Sequence, residues 1–61
     1  MEKDEKIKKM MTLPWQALFD IALFHGVDED SVKGKEKNEI IEKVLLCGIQ
    51  DEEIERLVDD Y

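Results

Sequence analysis

Residue types that carry catalysis are almost missing from this chain. Among 61 residues it has one serine (Ser31), one threonine (Thr12), one histidine (His25), one cysteine (Cys47) and three glycines. A nucleophile needs a base in hydrogen-bond reach and a third group to orient that base, and a nucleotide cradle needs a glycine-rich loop. His25 falls where one helix should end and Cys47 in the last turn of another, so nothing orients them together and no enzymatic activity is expected. A lone cysteine cannot close an internal disulfide, and no Cys/His cluster has ligand spacing, so neither a metal nor any other cofactor is expected. The acidic run Asp28-Glu29-Asp30 lacks the alternating ligands and closing glutamate of a calcium loop. No apolar run approaches the roughly 20 residues of a membrane span, and the acidic start Met1-Glu2-Lys3-Asp4-Glu5 does not suit a signal peptide. These absences predict a reducing, cytoplasmic setting with no membrane contact.

What remains is a small, charged, helix-forming chain. Hydrophobic residues make up 43% and charged residues 41% of it, the latter of both signs, which favours a folded core over an acidic disordered tail. A domain of this size buries only about 60% of the surface that its unfolded chain exposes, so its stability rests on helix packing or on a partner. There is no room for a deep cleft, and no small-molecule substrate is expected. The net charge of −7 is unevenly spread: +1 over residues 1–11, −1 over 12–26, −3 over 27–32, +1 over 33–43 and −5 over 44–61, where Arg56 stands against six acids. That acidic C-terminal third repels a phosphate backbone.

Along the chain the apolar spacing is helical throughout. Ile7, Met10 and Met11 at i, i+3 and i+4 predict a short amphipathic helix or a frayed arm within residues 1–11, and residues 12–61 then form the interaction domain proper. Pro14 disfavours helix in the residue before it and suits a first turn, so a new helix starts near Pro14 with Thr12 or Leu13 at the cap. From Trp15 to Phe24 only Gln16 and Asp20 are clearly polar, which predicts a central helix buried nearly all round. His25 and Gly26 end it. An extended, ordered connection follows, pinned by Val32. A helix beginning between Lys35 and Glu39 turns Ile40, Ile41, Val44 and Leu45 inward and stops at Gly48. The last helix opens on Asp51-Glu52-Glu53 and carries the stripe Ile54, Leu57, Val58 and Tyr61. The expected architecture is all-α: a compact three-helix bundle with a helix–extended loop–helix core, to which the short N-terminal helix is added.

The run Leu18-Phe19-Asp20-Ile21-Ala22-Leu23-Phe24-His25-Gly26-Val27, its loop, and Lys37-Asn38-Glu39-Ile40-Ile41-Glu42-Lys43 resemble the helix–extended loop–helix group. This group includes SAP domains, the N-terminal subdomain of the Rho termination factor and LEM domains. In those families a first helix ends in glycine plus an aliphatic residue, an extended loop crosses over, and a Lys-x-Glu-rich string opens the second helix. The resemblance implies a binding domain for nucleic acid or for protein.

Two sets of candidate residues follow. The acids Asp51, Glu52, Glu53, Glu55, Asp59 and Asp60 create a strong local negative field suited to a basic protein partner, and Trp15 offers a further, apolar anchor. On this reading the chain is a non-catalytic interaction module or small regulator; a nucleic-acid mimic or a phage-type effector would fit its size and acidity. The alternative is DNA or RNA binding through Lys33, Lys35, Lys37 and Lys43, with Lys6, Lys8 and Lys9 extending the patch. Trp15, Phe19 and Phe24 cannot all point into one small core from a single helix. A third reading, self-association, would bury Met10, Met11 and Trp15.

Overall fold

Local sequence signals set most of the element boundaries. In the computed structural model, which describes all 61 residues, the chain forms five helices and no strand: α1 Lys3–Met11, α2 Trp15–Phe24, α3 Glu29–Val32, α4 Lys37–Leu46 and α5 Asp51–Asp60. The α1–α2 joint is tighter than the sequence suggests. Thr12 closes α1, its hydroxyl donating to the Lys9 carbonyl at 2.6 Å, and Pro14 rather than Thr12 or Leu13 is the N-cap of α2. With φ −65° and ψ 155°, Pro14 is extended, and its carbonyl accepts the N–H groups of Ala17 and Leu18. Proline needs no donor partner there, because a helix's first N–H groups have none inside the helix.

Helix α2 ends as its sequence predicts. Gly26 adopts φ +87°, its N–H donates to Leu23, and the N–H of Val27 donates back to Ala22 at 2.9 Å. This pair of bonds is a Schellman closure, which satisfies two helix-end carbonyls and needs a residue without a Cβ penalty at the left-handed position. The connection that follows is extended at Asp28 and again at Lys33, and between them it makes the single helical turn α3. That turn is stabilised by Ser31, whose hydroxyl and N–H both donate to the Asp28 carbonyl, and it carries Val32 into full burial.

The core is entirely apolar. Met10, Leu13, Ala17, Leu18, Ala22, Val32, Ile40, Ile41, Val44, Ile49 and Ile54 are buried, and no polar or charged residue joins them. Helix α2 packs chiefly on α4, while α1 packs on both α4 and α5. Met10 thus sits in the centre of the molecule, and residues 1–11 are part of the bundle. Leu13 and Ile49, from the α1–α2 and α4–α5 connections, plug the spaces between helices.

Two expectations for the core are corrected. Helix α2 is buried on one side only, at Ala17, Leu18 and Ala22; Trp15, Phe19 and Ile21 are half-buried, and Leu23 and Phe24 are exposed. So small a bundle has too few helices to surround any one of them. Tyr61 likewise stands outside the α5 stripe, 69% exposed, just beyond the last helical turn.

Candidate functional site

Helix α5 is the most acidic element, and its neighbours divide its acids into two sets. The apolar stripe of Ile54, Leu57 and Val58 turns inward. One flank of that stripe faces α1: the amino terminus at Met1 donates to Asp51 Oδ2 at 2.7 Å, Lys6 Nζ lies 3.6 Å from Asp51 Oδ1, and Lys9 Nζ donates to Glu55 Oε1 at 3.3 Å. The hydrogen bond from the amino terminus, opposed by desolvation and aided by the charges of the amino terminus and Lys6, holds the Asp51 carboxyl below its ordinary pKa. The other flank faces the end of α2. There His25 Nε2 donates to Glu53 Oε2 at 2.9 Å, with both side chains largely covered. A carboxylate can only accept, so Nε2 carries the proton in this bond.

Glu52, Asp59 and Asp60 form the second set. They are exposed and make no ion pair or side-chain hydrogen bond. At about 100° per residue they lie, with Arg56, on the side of α5 opposite its apolar stripe. Six acids that look alike in sequence thus have two roles in the fold.

Trp15 is a structural joint as well as an aromatic surface. Its indole N–H donates to the Lys35 carbonyl at 2.6 Å, and its ring stacks on Phe19 at a centroid distance of 5.0 Å. It thereby ties the start of α2 to the end of the connection that precedes α4. Only the outer part of the ring remains available.

The candidate lysines differ in what they meet. Lys37 Nζ donates to the Met11 carbonyl at 3.3 Å and so covers the last turn of α1. Lys43 is half-buried and, six residues further along α4, lies about 120° around the helix from Lys37. Lys33 and Lys35, on either side of Gly34, are exposed and unpaired; of Lys6, Lys8 and Lys9 only Lys8 is exposed and free of acids, since Lys6 and Lys9 bind α5.

Two of the molecule's three surface grooves carry exposed apolar side chains beside these residues. One, between α1 and α4, is lined by Lys3, Lys6, Glu42, Leu45 and Leu46. The other, between the end of α2 and α5, has Ile21, Phe24 and Leu57 with Glu52, Glu53, Arg56 and Asp60 around them. Phe24 was within reach of sequence reasoning, because it lies across α2 from the Trp15–Phe19 pair and cannot share their surroundings. Which helix would stand next to it was not.

His25 contacts Glu53 and the ring of Phe24, and no hydrogen bond joins it to Cys47, which is exposed at the C-cap of α4. No group of three or more His, Cys, Asp or Glu side chains is placed to hold a metal ion, and no helix is long and apolar enough to cross a membrane. In comparisons with family models, curated proteins and solved structures, nothing matches this chain.

Proposed function

We propose that this chain is a non-catalytic protein-interaction module that binds a larger, basic partner through the outer face of α5. The observation that carries this reading is the division of the acids. Asp51, Glu53 and Glu55 are engaged in holding α5 to α1 and α2, whereas Glu52, Asp59 and Asp60 are exposed with no internal partner. Unpaired carboxylates two helical turns apart add to the field of a chain already at −7, which attracts and orients a cationic surface and repels an anionic one. The expected binding set therefore narrows from six acids to three. Affinity capture with the wild-type chain and with the variant Glu52→Gln/Asp59→Asn/Asp60→Asn tests this. Partners held by the wild type should be lost by the triple variant at unchanged fold; partners retained in full would contradict the reading.

A second reading keeps the SAP-like resemblance and is favoured by one observation, the exposed and unpaired Lys33 and Lys35 beside the start of α4. It predicts steeply salt-dependent nucleic-acid binding at this corner, without Lys37 and with little from Lys43. An NMR titration at low salt with a short duplex and with a single strand checks it. Unmoved amide signals across residues 33–37 would eliminate it.

A further inference from the structure

We infer that the groove between the end of α2 and α5 is a docking site for a positively charged peptide segment that carries a large apolar anchor. The inference rests on the reading of α5 as the binding helix and adds the apolar half of the recognition. Phe24 is 80% exposed, an unusual position for a phenylalanine in a chain with only two. It is exposed because α2 stops directly after it while α5 packs on α1, leaving Ile21 and Leu57 half-covered across the gap.

One residue ties the two walls of the groove. His25 meets the Phe24 ring edge-on at 5.5 Å and 83°, and the same imidazole is fixed by Glu53 on the opposite helix. One residue therefore contacts the aromatic wall and ties the two walls together, which fixes their separation before a ligand docks.

Charge identifies the occupant. Around the apolar floor stand Glu52, Glu53 and Asp60 against the single Arg56, and none of Glu52, Asp60 and Arg56 has an ion-pair partner within the chain. Glu52 and Asp60 are eight residues apart on α5, about 12 Å along its axis. In an extended peptide that distance separates residues about four apart, which places cationic side chains on both sides of one central anchor. A second copy of the chain is a poor occupant, because two bodies of charge −7 repel.

The test is an NMR titration of the full chain with a panel of blocked nonapeptides. Their central residue is tryptophan, leucine or serine, and their flanks are arginine, glutamine or glutamate. Saturable shifts at Ile21, Phe24, Arg56 and Leu57 are expected only for arginine flanks with an apolar centre. Phe24→Ser should weaken that binding at least about tenfold, whereas Leu46→Ser, in the groove on α1 and α4, should leave it unchanged. Because Phe24 is exposed, the variant's own spectrum should report an intact fold; Leu57→Ser offers a second route into the same floor. Equal binding of glutamine-flanked or serine-centred peptides, or no shift at Phe24 with any member, overturns the inference. Concentration-dependent dimerisation through Phe24 in sedimentation would also overturn it. If Glu52→Gln/Asp60→Asn weakens peptide binding and Phe24→Ser does not, the acidic face stands and the groove falls. If neither does, both fall.

Discussion

The two flanks of α5 are built differently. Toward α1 the seam is sealed: Met10 and Ile54 are fully buried beneath it, and Asp51 and Glu55 close it with the amino terminus, Lys6 and Lys9. Toward α2 there is one direct tie, His25 to Glu53, beside an exposed phenylalanine and a half-covered leucine. The difference teaches that one short helix can divide its surface between a flank spent on packing and a flank left open. The flank that meets a cationic, amphipathic neighbour is used up in folding, and the flank that meets the blunt end of a helix is left with apolar area and free charge.

The comparison predicts unequal mutational costs. The largest belongs to the sealed seam: Ile54→Ala should destabilise by about 2–5 kcal/mol, read from urea unfolding, because it opens a cavity at a fully buried site. In a domain this small, loss of cooperative unfolding is the same outcome in a stronger form. A cost near zero would show that the seam is not closed.

Trp15→Phe keeps most of the aromatic area but removes the N–H that Lys35 accepts, and should cost about 1 kcal/mol in the same experiment. Asp51→Asn acts through pH. The Asp51 carboxyl has a lower pKa folded than unfolded, so its carboxylate stabilises the fold above the unfolded value. That contribution disappears as pH falls through the folded value. The variant should therefore be less stable near neutrality and show a shallower acid-side decline than wild type, with the gap closing at low pH. A parallel decline would contradict the pairing. The smallest effect is expected at the open flank: Phe24→Ser should change stability by less than about 0.5 kcal/mol, as befits an exposed side chain.

Much of the fold was legible because its determinants are local. Pro14, Gly26 and Gly48 punctuate the chain, and the spacing of Ile40, Ile41 and Val44 on α4 and of Ile54, Leu57 and Val58 on α5 identifies the inward faces. The burial of Leu13 and Ile49 was less legible, since single apolar residues in connections have no periodicity. Least legible was the fate of the acids. Asp51 and Glu55 are paired with cationic groups 45–50 positions away in the chain, and Glu53 is hydrogen-bonded by His25, 28 positions away. Helical spacing separates these flanking acids from the outer Glu52, Asp59 and Asp60, but only the arrangement of helices around α5 shows which groups meet each flank. For the same reason the bond that makes Trp15 a joint between α2 and the connection to α4 was not legible.

The division of α5 is tested most directly by urea unfolding of two triple variants with equal net charge. Asp51→Asn/Glu53→Gln/Glu55→Gln and Glu52→Gln/Asp59→Asn/Asp60→Asn each raise the charge from −7 to −4, so general relief of repulsion is the same in both. The first should unfold at a lower urea concentration than wild type and the second at the same or a higher one. Equal midpoints for the two variants, or a lower midpoint for the second, would contradict the account.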